Sequence, residues 1–426
     1  MTDIELTPQA DASERTTAQR YGQLAILTLA GGAVYPLIYL RQNFEVSILE
    51  SFGITITELG QCYAMLGVIF VATYLPSGWL ADRVAPRYLM SFSLFGIGAL
   101  GLWFSTMPGF DSLRIIFIGW GIASGLTFWA AMIKAVAVLA HHDEQGRFFG
   151  LLDGGRGLVE AILASIAVGL FSYGLDALEL GTAGALLNVI YLYVGFAFLL
   201  SPMVLFLIDD IGDGPGRKHH PLKMSEVKLM LSTKELWLAA ACILCGYQLF
   251  WATYSFSGYL QQEFAMTAVT VGAITVAKLW MRPIGAISAG FIGDYFNVEK
   301  TLAILMLASS AALALLVFVP ATASVALVLL VVLTIGLLTY AVRGVFWATL
   351  DACGIPVHIK GLAIGAISLI GYSPDIYLPL INGPLLEAYP GRQGYGIYFS
   401  GIAAAGLFGT WAAWRLMVLA RQRGLA

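Results

Sequence analysis

Long apolar runs separated by short polar intervals organise this chain from end to end. They fall at about 21–49, 58–80, 89–107, 113–139, 148–173, 184–208, 236–260, 268–292, 301–320, 323–349, 360–386 and 394–419. A helix needs roughly 18 or more such residues to cross the hydrocarbon core of a bilayer, so each run predicts one membrane span. Residues 1–20 are polar and mixed in charge, without the apolar core of a signal peptide, so the first run is expected to persist as a helix. The longest polar interval, 209–235, holds Asp209, Asp210, Arg217, Lys218, Lys223, Lys228 and Lys234 and separates six runs from six. The expected architecture is all-α and integral to the membrane. It comprises a cytoplasmic tail (1–20), a six-helix bundle (21–208), a cytoplasmic linker (209–235), a second six-helix bundle (236–419) and a short cytoplasmic tail (420–426).

Composition agrees with the pattern. Of the 426 residues, 59% are hydrophobic and 12% charged, too few charges to cover a soluble surface of this size. The distribution of charge says more than the net value of −3. With the N-terminus inside, the intracellular side holds Arg15, Arg20, Arg83, Arg87, Arg147, Arg217, Lys218, Lys223, Lys228, Lys234, Lys300, Lys360, Arg415, Arg421 and Arg423, whereas the other side holds Arg114 and Arg392. By the positive-inside rule both termini are expected in the cytoplasm, the protein lying in the inner membrane. Cys242 and Cys245 form a CxxC inside an apolar run, which reads as packing. The five histidines, His141, His142, His219, His220 and His358, fall in predicted loops. No metal site or cofactor is expected.

The halves repeat. Gly78-Trp79-Leu80-Ala81-Asp82-Arg83-Val84-Ala85-Pro86-Arg87 follows the second run, and Gly290-Phe291-Ile292-Gly293-Asp294-Tyr295, with Lys300 beyond, follows the eighth. Gly-x-Leu-Ala-Asp-Arg followed by a second basic residue resembles the loop signature of the major facilitator superfamily. The resemblance covers essentially the whole chain and implies two pseudo-symmetric bundles that alternate access to a central site. It also implies gating charge contacts at cytoplasmic helix ends by Asp82, Arg83, Arg87 and Asp294, although the second copy lacks the arginine after Asp294.

Ionisable groups are costly in hydrocarbon and usually face a polar cavity or a partner. Within the predicted spans lie Arg41, Lys134, Arg156, Lys278, Arg282 and Arg343, against Asp153, Glu160, Asp375 and, near the outer end of the first span, Glu45. The surplus of positive charge would be relieved by an anionic substrate. The stretch Tyr39-Leu40-Arg41-Gln42-Asn43 resembles the first helix of the organophosphate:phosphate antiporter and anion:cation symporter branches. That likeness implies that Arg41 binds an oxyanion, through a fork suited to two parallel hydrogen bonds. The alternative is an arginine snorkelling to headgroups, with Glu45 as its i+4 partner.

Those antiporters carry a second arginine on the seventh helix. Aligning Asp82 with Asp294 carries Arg41 to Thr253, in a neighbourhood without basic residues. Tyr247, Gln248 and Trp251 there suggest a wall for the carbon or polyol part of a substrate. Lys278 and Arg282, four apart and expected on one helix face, could supply the missing charge, or Lys278 could pair with Asp375. Asp153, Arg156 and Glu160 share a face of the fifth span, either as a self-neutralising ladder bridged by Arg156 or as a proton-coupling group. Gly154, Gly155 and Gly157 beside them suit close helix packing. Lys134 and Arg343 are repeat equivalents near the inner ends of the fourth and tenth spans, where they either snorkel or line a vestibule. Asp375 lies in a span interrupted by Pro374, Pro379 and Pro384, a feature that often marks a site or gate.

Function follows as secondary active transport of a small organic anion: a sugar acid, a carboxylate, or a phosphorylated or sulfonated polyol. Proton symport or anion exchange is favoured, since no GxxxxGK[ST] motif for ATP is present. The expected unit is a monomer whose partners are the anion, a coupling proton or counter-anion and the lipid bilayer, with no nucleic acid. Rival readings are a drug or neutral-sugar transporter of the same fold and a non-transporting sensor. A membrane-embedded enzyme is disfavoured because the spans contain no histidine, metal-ligand cluster or activated nucleophile.

Overall fold

The computed structural model describes residues 16–81, 83–139, 145–209, 232–353 and 360–422. Every regular element there is helical. Twelve passes result: α1 (Thr17–Phe52), α2 (Ile56–Ala81), α3 (Pro86–Phe104), α4 (Phe110–Val136), α5 (Gln145–Asp176), α6 (Gly181–Leu207), α7 (Lys234–Phe264), a broken α8 (Ala268–Leu279 and Met281–Phe296), α9 (Val298–Phe318), α10 (Val325–Leu350), a broken α11 (Lys360–Gly371 and Pro374–Ala388) and α12 (Arg392–Gln422). Ten are single apolar helices long enough to cross a bilayer, and the broken α8 and α11 complete the twelve. A helix satisfies its own backbone, which is what hydrocarbon demands of a spanning segment. Large apolar side chains face outward, among them Phe206, Phe291, Phe318 and Leu330. That surface would be a liability in water and suits lipid.

The breaks have local causes. Pro283 has no N–H to give the Leu279 carbonyl and its ring crowds that oxygen, so α8 interrupts at Trp280. Pro374 opens the second part of α11 in the same way. In α1 the helix turns at Tyr39 and kinks again at Phe44, three residues beyond Arg41.

Odd-numbered helices begin at one end of the molecule, the terminus end, where Thr17 opens α1 and Gln422 closes α12, and even-numbered ones finish there. At the opposite end α2 meets α11 along a seam where glycines let the two backbones approach. A methyl group on Gly60 would lie 2.4 Å from the Pro379 carbonyl oxygen, and one on Gly67 2.6 Å from that of Asp375. The Thr57 amide donates to Glu387 (3.1 Å) and Ser257 Oγ donates to the Asn43 carbonyl (3.2 Å), so both α2–α11 and α1–α7 are shut there. At the terminus end a cleft of about 340 Å³ lies between α5, α8 and α10, lined by Asp153, Gly154, Ala286, Gly290 and Gly344 and flanked by the outward-facing Ile287 and Phe291. Among the described residues the molecule is therefore shut at one end and holds a cleft at the other.

Candidate functional site

The interior charges gather where the helices break. Arg41 is 1% exposed. Its Nε donates to Glu45 Oε2 at 3.0 Å, Nη2 donates to the same oxygen, and the guanidinium lies over the Tyr63 ring (5.2 Å). The i+4 pairing is observed, but snorkelling is not, since Glu45 is buried too, against Gly258 of α7. Beside them Tyr39, Gln42, Asn43, Glu160 and Tyr193 line a recess of only about 10 Å³. Asn43 Oδ1 is buried there without a hydrogen-bond partner, and the Gln42 side chain reaches Tyr340 of α10. Unpaired buried polar atoms cost about 1–3 kcal/mol each, an expense that a hydroxylated ligand would remove. Room for at most one water means that any larger guest requires the halves to part.

Lys278 and Arg282 flank the break at Trp280 and take different partners. Lys278, fully buried, donates to Thr253 Oγ1 (3.1 Å) and lies near the Thr253 carbonyl (3.4 Å). Thr253 is the position to which the internal repeat carries Arg41, so the ammonium from α8 stands where a seventh-helix arginine would be. No carboxylate among the described residues touches Lys278, and the alternative of an Asp375 pairing is therefore corrected. Asp375, 5% exposed, instead accepts from Tyr247 Oη (2.8 Å) and Trp251 Nε1 (2.6 Å). Those two side chains contact an acid rather than standing free as an aromatic wall. Gln248 is half-buried and makes no hydrogen bond among the described residues.

Arg282 crosses to the other half. Its Nη1 donates to Glu160 Oε2 (2.6 Å) and Nη2 to Asp153 Oδ1 (3.2 Å). This corrects the ladder on α5, in which Arg156 was to bridge both acids. Arg156 approaches Asp153 at 3.8 Å, donates Nε to the Gly31 carbonyl (3.1 Å) and stacks over Trp129 (5.1 Å) at the end of a π-helical turn in α4. Gly157 is the place where Arg282 fits, since a methyl there would meet its Cδ at 3.0 Å, and Gly155 lets Thr28 of α1 approach α5. Gly154 faces the cleft and packs against nothing.

Lys134 donates to the Ala81 carbonyl (3.0 Å) at the end of α2. Arg343 lies over Phe250 (4.2 Å) and Tyr247 (5.8 Å) of α7, directed inward rather than to headgroups. Arg83 donates to the Trp79 carbonyl and stacks on its ring, and Arg87 contacts Tyr88. Asp82, the linker residues 210–231 and all five histidines lie outside the described residues, as does the side chain of Asp294. Among the described residues no metal-ligating cluster forms, and the four cysteines are buried and free. Sequence reasoning missed the stacking partners Tyr63, Trp129 and Phe250, for which only proximity in the fold gives a signal.

Comparison with known proteins places this geometry. The family model described as Major Facilitator Superfamily matches residues 26–379. The chain is 27% identical over 415 residues to the inner membrane protein YihN of Escherichia coli K12, covering 96% of this chain and 97% of that one. It is 22% identical over 393 residues to a D-galactonate transporter of Escherichia coli O6:H1, covering 86% and 89%. Among solved structures, a bacterial homologue of the human lysosomal transporter Spinster, inward-facing and unoccupied, superposes with a TM-score of 0.71 at 13% identity, over 96% of this chain and 98% of that one.

Proposed function

The chain belongs to the major facilitator superfamily of membrane transporters, and from that premise we propose that it is a proton-coupled carrier of a small organic anion, with sugar acids as the favoured class. One observation carries the reading. In the interior Arg41 is matched by Glu45, and Arg156 and Arg282 by Asp153 and Glu160, which leaves Lys278 and Arg343 against Asp375 alone. One positive charge remains, and an anion bound between the halves would neutralise it. The unpaired Asn43 Oδ1 suits a hydroxyl group of a sugar acid, and a relative named as a D-galactonate transporter supports that class.

In this reading the protein is a monomer in the inner membrane with both termini in the cytoplasm, so the open cleft faces inward. The repeated halves, 21–208 and 236–419, rock about the site, with Arg83 and Arg87 acting at the inner gate. Lys278 and the Tyr39–Asn43 turn meet substrate. Arg41 joins them when the outer end opens and Glu45 releases it. Asp375, with Asp153 and Glu160 as further candidates, carries the proton, because histidine is absent from the spans.

Thermal unfolding of the purified protein tests the substrate class, since a ligand of the folded state raises the midpoint. D-galactonate, L-galactonate or D-gluconate should stabilise it, and galactose should not. Stabilisation by galactose alone would replace this reading with a neutral-sugar carrier.

A further inference from the structure

Arg343 is the interior cation with the fewest obligations. Its guanidinium touches no carboxylate and no hydrogen-bond acceptor among the described residues, only the rings of Phe250 and Tyr247 beneath it, with Asp153 of α5 within reach of its charge. Stacking occupies the face of a guanidinium and leaves its five in-plane N–H donors available. Arg41 by contrast is held by Glu45 behind the closed end, and Lys278 is fully enclosed. Arg343 is half-buried, and the next residue, Gly344, lines the open cleft.

Tyr247 joins this cation to an acid. Its ring lies under Arg343 while its hydroxyl donates to Asp375 Oδ1. Trp251 donates to the same oxygen, so Oδ2 is left as the atom that can take a proton. The charged group acting on Asp375 is Arg343. The other titratable groups around the acid are tyrosines: Tyr35 and Tyr39 from α1, Tyr74 from α2, Tyr247 and Tyr254 from α7, and Tyr372 from α11 itself.

We propose that Arg343 and Asp375 form a linked pair, in which Arg343 receives the anionic group of the substrate from the open cleft and Asp375 takes up the accompanying proton on Oδ2. This rests on the anion-carrier reading above and adds where charge and proton meet. With the site empty, the two groups offset one another. An arriving anion occupies Arg343 and brings a second negative charge towards Asp375, which favours its protonation. Linkage is reciprocal, so a protonated Asp375 leaves Arg343 free for the anion.

Titration calorimetry with D-galactonate, L-galactonate and D-gluconate in two buffers of different ionisation enthalpy reads binding and proton uptake together. The wild type should take up about one proton per anion bound, with affinity rising as pH falls. Arg343→Gln should weaken binding more than about tenfold, with Arg343→Lys between the two. Asp375→Asn should bind without proton uptake and without pH dependence. Unchanged affinity in Arg343→Gln, or proton uptake retained in Asp375→Asn, would overturn the pairing while leaving an anion carrier. Should Arg343→Gln fail to fold, the Asp375→Asn result decides alone. A wild type that binds none of the three anions would overturn the anion reading and the pairing with it.

Discussion

At the scale of single residues, the buried charges differ in what their removal would leave behind. Arg41→Ala strands the Glu45 carboxylate, which is 0% exposed and has a second oxygen already unpartnered. Breaking such a pair typically costs about 3–5 kcal/mol. Arg41→Ala should therefore lower thermal stability in detergent markedly, and adding Glu45→Gln should restore part of the loss. An equal loss in the single and double variants would show that packing over Tyr63, not charge, holds Arg41 in place. The identities of these charged residues were legible from the sequence, because an ionisable group inside an apolar run announces itself. Their partners were not. Arg282 reaches Glu160 across 122 positions and Asp153 across 129, and no spacing rule operates over such intervals.

Elements carry the next level of information, and they carry it in their interruptions. Twelve apolar runs translate directly into twelve passes, because hydrocarbon leaves a single chain few alternatives to helix. The interruption of α8 at Trp280 arises from Pro283, a residue visible in the sequence but easily passed over when an apolar run is read as one regular helix. The seam between α2 and α11 is a different case. Its glycines become meaningful only once the partner helix is known to press its carbonyls against them. Gly60→Val would drive a side chain into the Pro379 carbonyl and hold that end ajar. A cysteine at Thr57 should then react faster with a membrane-impermeant thiol reagent in Gly60→Val than in the unaltered seam, and transport should fall at least about tenfold, roughly 1.4 kcal/mol in the closing step. Equal labelling would mean that the seam closes by other contacts.

For the whole molecule, the repeated halves and their membrane character were readable from hydropathy and from the Asp82 and Asp294 motifs. Which end is open was not, because alternating states share one sequence and differ by only a few kcal/mol. Among the described residues the cleft lies at the terminus end, with the Arg282 bridge spanning the halves between the cleft and the closed recess. The proposed carrier moves an anion through an interior with a surplus of positive charge and couples that movement to a proton. Uptake of radiolabelled D-galactonate and D-gluconate, beside galactose, into proteoliposomes under an imposed pH gradient measures both properties at once. The account predicts that a sugar acid accumulates above its external concentration towards the alkaline side, that collapsing the gradient with a protonophore abolishes the accumulation, and that galactose stays at equilibrium. Accumulation of galactose, or sugar-acid uptake that never exceeds equilibration whatever the gradient, would contradict it.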